Sequence, residues 1–212
     1  HGRSSHRSMD SSYDILIDIG EVIAVADQMG WERFALLGHS RGAVISGLIA
    51  GTFPDRITQV ALIDGYVPMP HDADNAAKQV MKAIRENKRF GGASPTHFPD
   101  FDRAIQARVN GFVPLQLEAA TLLANRGVVE GPRGHYWAND QRLKAASFVK
   151  FSKEHLEGFF TAILARVLLI QAENSAFSPD RQQSEFFGWV PHMQIKKMPG
   201  SHHLHLEDEA EQ

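Results

Sequence analysis

Five consecutive residues, Gly38-His39-Ser40-Arg41-Gly42, are the part of this sequence whose types and spacing could do chemistry. A serine hydroxyl is a poor nucleophile near neutral pH. It becomes effective when it is lifted clear of its surroundings and paired with an imidazole that takes its proton. The pattern Gly-x-Ser-x-Gly does the lifting, because its glycines allow a sharp strand-to-helix turn where side chains would collide. The flanking residues suit such a turn. Residues 33–37 are a short apolar run that predicts a strand, and residues 43–52 are apolar on nearly all sides and closed by Phe53-Pro54, which predicts a helix. A helix opening at this point favours negative charge at its N-terminus and positions the Arg41 backbone N–H to bind a developing oxyanion. The bland alternative, a tight glycine turn with an incidental serine, does not account for this strand–turn–helix context.

A proton acceptor is available in His202, which follows an apolar stretch at 192–198 and a Pro199-Gly200 turn near the C-terminal end. In folds built around such an elbow the serine comes first in the chain and the histidine last. His202, His203 and His205 also read as a surface cluster or a metal site, but no carboxylate pairing or second cluster accompanies them. A third group must orient the imidazole. Asp64 ends the apolar stretch 57–63, whereas Glu173 and Asp180 follow the stretch 166–172. Asp180 comes after Pro179 and suits a helix start better than a catalytic role. Asp64 is the expected acid, because the strand it ends lies next to the nucleophile strand.

The elements that must position these groups alternate. Residues 14–29 read as an amphipathic helix with Ile15, Ile19, Val22, Ile23 and Ala26 on one face and Gly30 as its stop. The order helix, strand, helix, strand then follows, with strands too continuously apolar to have a wet face. That predicts an α/β fold, a parallel sheet covered by helices. From 67 to 147 the texture changes, with Pro68 and Pro70, helical stretches at 73–89, 100–109 and 115–125, and a glycine-rich break at 127–134. This reads as a mostly helical insertion, a cap expected over the C-terminal ends of the strands. The core pattern returns with a helix near 152–164, a strand at 166–172, a helix near 180–188 and a strand at 192–198. The domain reading is therefore a core of 1–66 and 148–212 with a cap of 67–147.

Composition narrows the function classes. The chain has 212 residues, 43% hydrophobic and 22% charged, which suits one globular domain and argues against disorder. A net charge of -3 gives no reason to expect nucleic acid or an anionic membrane as partner. The expected partner is a small-molecule substrate, and the oligomeric state is left open. The absence of cysteine excludes a disulfide framework, a thiolate nucleophile and cysteine-based metal sites, and fits a reducing cytoplasm. No apolar stretch reaches the roughly 18 residues of a membrane span. The sequence opens at His1-Gly2 rather than at methionine, so the natural N-terminus is expected upstream.

The motifs, taken together, resemble the α/β-hydrolase superfamily along the whole chain, and within it the serine hydrolase-like proteins. The matching stretches are Gly38-His39-Ser40-Arg41-Gly42, Phe53-Pro54-Asp55-Arg56, Leu62-Ile63-Asp64, Asp140-Gln141-Arg142-Leu143 and Gly200-Ser201-His202-His203-Leu204-His205. The opening His1-Gly2-Arg3-Ser4-Ser5 looks like the tail of the family's Gly-His-Gly-x-Ser segment after its fourth core strand. The resemblance implies a cap at 67–147, a catalytic Ser40 and His202, and no cofactor; the resulting expectation is a serine hydrolase of the esterase type acting on a small acyl ester or related carbonyl substrate. It also implies that the first core strands, the loop giving the second oxyanion N–H and the last helix lie outside this sequence. An edge strand at 33–37 is then expected to be exposed. One departure bears on the acid: the family's usual position corresponds to Ser175, which cannot balance an imidazolium. Some members carry the acid at the end of the strand that here holds Asp64. Glu173, two residues before the usual position, is the runner-up. Carbon–carbon hydrolysis, perhydrolysis, a lyase step or a degenerate binding module are the rivals. The Arg41 side chain either favours an anionic acyl group or pairs with a cap carboxylate.

Overall fold

Four short stretches pair side by side in a computed structural model that describes residues 2–175, 177 and 184–211, the side chains of 208 and 209 excepted. They are β1 (Phe34–His39), β2 (Ile57–Ile63), β6 (Arg166–Ala172) and β7 (Gln194–Met198), all parallel, in the order β1-β2-β6-β7. Parallel strands need crossovers, and the helix α2 (Arg41–Thr52) makes the first of them, from β1 to β2. It packs on both strands, with α1 (Ile15–Gln28) and α6 (Lys153–Thr161) against it. Side chains from all of these meet in one apolar core that includes Ile19, Leu48, Ile49, Val60, Leu62, Leu156, Phe160 and Leu169.

Local chemistry sets the helix limits. Asp14 caps α1 by accepting the Leu16 N–H at 3.1 Å, and Gly30 takes the left-handed conformation (φ 69°) just beyond its end. Ser152 caps α6 through its hydroxyl oxygen, which accepts the His155 N–H. Residues 166–172 form the strand expected there. The expected strand 192–198 is shorter, Gln194–Met198. Of the expected helix near 180–188, residues 180–183 lie outside the described ones, and Ser184–Trp189 winds as a 3-10 helix. Among the described residues β1 pairs only with β2, and its Leu37 is 73% exposed.

The chain divides into two compact units, one of residues 14–77 and 149–212, the other of residues 1–13 and 78–148. The insertion thus includes the first residues of the chain, beyond the expected 67–147. Its helices are α3 (Ala76–Gly91), which begins two residues before the unit does, α4 (Phe101–Val109) and α5 (Leu117–Gly127). They correspond to the three helical stretches read from sequence. Three short antiparallel strands, β3 (His97–Phe98), β4 (Val128–Gly131) and β5 (Gly134–Trp137), form a second sheet in the order β3-β5-β4. The glycine-rich stretch 127–134 is therefore a hairpin rather than a break, with Pro132-Arg133 at its tip. Strands of two to four residues are too short to show a period-2 pattern in the sequence.

A buried ion pair ties the first residues into this second unit. Arg142 Nη2 lies 2.7 Å from Asp140 Oδ2, and both side chains are almost fully enclosed. The remaining guanidinium donors reach the carbonyl oxygens of Arg7, Ser8 and Ser11, and the Tyr13 hydroxyl donates to the same Asp140 carboxylate at 3.1 Å.

Candidate active site

The elbow forms because β1 must turn into α2 within one residue. Ser40 makes that turn with φ 53° and ψ -118°, a conformation that costs on the order of 1–3 kcal/mol for a residue with a side chain. A Cβ on Gly38 would stand 2.2 Å from the Gly42 carbonyl oxygen, so only glycine fits there. The expectation that Gly42 is equally constrained is corrected, since a Cβ at Gly42 would meet nothing within 4 Å. Sequence reasoning missed a different glycine. A Cβ on Gly65 would come within 2.5 Å of the Ser40 carbonyl oxygen, so the residue after Asp64 must be glycine to let the two strand ends approach.

Three separated side chains meet at this turn. His202 Nε2 lies 2.9 Å from Ser40 Oγ, and His202 Nδ1 lies 2.6 Å from Asp64 Oδ2. His202 is 7% exposed and Asp64 1%. Asp64 reaches the imidazole from the end of β2, where its own backbone turns at φ 43° and its N–H donates to the Ile170 carbonyl of β6. Its other oxygen, Oδ1, accepts the Ala172 N–H at 3.1 Å. Burial pushes the Asp64 carboxyl up, but hydrogen bonds from His202, Ser175 and Ala172 outweigh it and hold the group below the usual carboxylate range. With the carboxylate facing Nδ1, that nitrogen carries the proton, and Nε2 presents its lone pair to the serine.

The other candidates fall elsewhere. Glu173 is exposed in the turn after β6, where its N–H donates to the Met198 carbonyl. Asp180 lies outside the described residues. Arg41 opens α2 beside the nucleophile, and its guanidinium pairs with Asp18 of α1. His39, a variable position of the elbow, proves to be structural: its Nε2–H donates to the His202 carbonyl at 2.7 Å. Burial first, then the neighbouring His205 and His202, push the His39 imidazole down to about 4. His203 and His205 pack their rings against that of His39. Among the described residues no group of three or more His, Cys, Asp or Glu is arranged to hold a metal ion. No helix of the described residues is long and apolar enough to cross a membrane.

Residues 1–209 match the family model of the alpha/beta hydrolase fold. The chain belongs to the α/β-hydrolase family. Among solved structures, a hypothetical protein of Pseudomonas aeruginosa is 35% identical with a TM-score of 0.90, over 99% of this chain and 74% of that one. The human serine hydrolase-like protein 2 is 26% identical over 98% of this chain and 71% of its own length. The thioesterase domain from the curacin biosynthetic pathway shares the fold, with a TM-score of 0.84 at 21% identity, over 100% of this chain and 75% of that one. Within the family the chain is thus a hydrolase of the α/β fold, similar to proteins named serine hydrolase-like.

Proposed function

We propose that this protein is a serine hydrolase of the esterase type, acting on a small acyl ester or a related carbonyl substrate. The observation that carries the reading is the unbroken relay from Asp64 Oδ2 through His202 to Ser40 Oγ, with links of 2.6 and 2.9 Å. Ser40 Oγ attacks the carbonyl carbon while His202 Nε2 takes the hydroxyl proton. Asp64 holds the imidazole in the tautomer that leaves Nε2 free and stabilises the imidazolium that forms. The Arg41 N–H, at the N-terminus of α2, supplies one donor for the tetrahedral oxyanion. The imidazolium then protonates the leaving alcohol. Water, activated by the same imidazole, releases the acid and regenerates Ser40.

The intact hydrogen-bonded relay supports catalysis over a binding module with a disabled site. The test is a fluorophosphonate probe together with a panel of acyl esters of graded chain length. Wild-type protein should become labelled and hydrolyse at least one ester. Ser40→Ala should abolish both and leave the circular dichroism unchanged, since the substitution removes one oxygen. Losses of several orders of magnitude in kcat are typical when such a nucleophile is removed. Activity of Ser40→Ala within a few-fold of wild type would refute the assignment.

A further inference from the structure

Two consecutive residues of the elbow take hold of His202 at its two ends. Ser40 Oγ meets the imidazole at Nε2, 2.9 Å away, and the Nε2–H of His39 donates to the His202 carbonyl at 2.7 Å. A carbonyl oxygen only accepts, so this bond fixes a proton of His39 on Nε2. His39 is the last residue of β1 and stands opposite Ile63 of β2, whose carbonyl also accepts the Ser40 N–H at 2.9 Å. The donor thus rises from paired sheet, whereas His202 sits in a loop that follows Gly200, itself left-handed at φ 106°. In that loop the carbonyls of Gly200, Ser201 and His203 accept the backbone N–H groups of Asn174, Leu204 and Leu206. The His202 carbonyl is held by a side chain instead, and that side chain belongs to the elbow. The His39 ring is itself packed, its centroid 4.1 Å from that of His205 and 4.7 Å from that of His202.

We propose that His39 is a positioning residue of the hydrolytic site, setting the distance between nucleophile and base by tying the His202 backbone to the residue next to Ser40. The inference rests on the serine-hydrolase reading. Proton transfer needs Nε2 within hydrogen-bond reach of Oγ, and a misplacement of about 1 Å can cost orders of magnitude in rate. The two contacts start from neighbouring residues on the elbow and end on a single residue of the loop. They close a ring of covalent bonds and two hydrogen bonds. Its size is set by the chain, so a shift of the loop that draws the imidazole from Ser40 must also stretch the bond from His39. Without the His39 donor the carbonyl of a buried residue loses its partner. The loop relieves that loss only by turning the carbonyl toward water or another donor, and the imidazole moves with it.

Fluorophosphonate labelling and ester hydrolysis by wild type, His39→Phe and His39→Gln test this. His39→Phe keeps a ring and lacks the donor, whereas His39→Gln lacks the ring and keeps an N–H of similar reach. His39→Phe should label about tenfold more slowly per folded molecule, the upper range for one neutral hydrogen bond. With an ester substrate the loss should fall on kcat and leave KM unchanged. His39→Gln should stay within about threefold of wild type. A role in packing alone reverses that order: a folded His39→Phe labelled at the wild-type rate overturns the inference, and so does a His39→Gln as slow as His39→Phe. If His39→Phe does not fold, His39→Leu makes the same comparison. The wild-type protein adds a reading that needs no variant. Its ¹⁵N chemical shifts should show a proton on His39 Nε2, and an Nδ1–H tautomer, with nothing to donate to the His202 carbonyl, overturns the inference. In each of these cases a labelled wild type leaves the hydrolase reading standing. An unlabelled wild type overturns both.

Discussion

Two buried carboxylates in this molecule make similar bonds and lead to opposite ends. In one unit Asp140 faces Arg142, and in the other Asp64 faces His202. Each accepts a second donor as well, the Tyr13 hydroxyl in the first case and the Ala172 N–H in the second. Burial pushes each carboxyl up, and hydrogen bonds led by the basic partner pull it below its usual range. The difference lies in what the basic partner has left over. The guanidinium is permanently charged, and its other donors are taken by the carbonyls of Arg7, Ser8 and Ser11, so it closes the arrangement. The imidazole has one nitrogen to spare, can gain and lose a proton, and turns that nitrogen toward a hydroxyl on a strained backbone. A carboxylate with a basic neighbour is therefore a poor marker of catalysis by itself. An uncommitted, titratable partner aimed at a third group is a better one.

The comparison is broken most severely at Asp64. Asp64→Asn should lower kcat by up to about 10⁴-fold while the protein stays folded, because an amide stabilises the wrong imidazole tautomer. Glu173→Gln, exposed in the turn after β6, should stay within a few-fold of wild type. The reverse ranking in ester hydrolysis would move the acid to Glu173. The corresponding change in the other pair should act on stability alone. Arg142→Ala leaves Asp140 charged and buried, and should cost about 3 kcal/mol in a urea titration. Fluorophosphonate labelling of the protein that remains folded should be unchanged.

The smallest effect expected concerns His39, which sharpens the contrast by showing a half-buried imidazole bonded to a backbone carbonyl. Its value in the folded protein is about 4, against an ordinary 6.5. Between those values the unfolded chain binds a proton that the folded one refuses. Stability should thus be full above pH 6.5 and fall as the pH drops toward 4, by on the order of 1–2 kcal/mol after allowing for partial exposure. The His205 shift has the same sign. Thermal melts of His39→Gln should show a flatter dependence in this window, and an equally steep one would assign the effect to other groups.

What the sequence revealed follows from how local each signal is. The elbow could be read because the glycine at 38, the serine and the start of α2 are neighbours in the chain, and the long apolar stretches announced β2 and β6 for the same reason. Asp64 was within reach because a strand end is a place, and a carboxylate at that place has a neighbour that topology supplies. The bond from the Ala172 N–H to the Asp64 carboxylate was not, since it crosses between strands that are far apart in the chain. The pairing of Arg41 with Asp18 and the closeness of Gly65 to Ser40 share that cause. The hairpin of β4 and β5 escaped for the different reason of length, although the turn residues Gly131-Pro132-Arg133-Gly134 between Val-rich and aromatic runs were a usable signal.

The parallel order of the main sheet also fixes when, during folding, reactivity can arise. His202 lies 162 residues along the chain from Ser40 and 138 from Asp64, and β2 meets β6 only after the whole insertion between them has been looped out. Loop closures of that length are the slow ones. The turn around Ser40 forms from residues close in sequence, yet it holds no base until the final strand has docked on β6. A chain caught part-way through folding therefore carries a complete elbow and an inert hydroxyl, and the acquisition of nucleophilicity marks the end of the process.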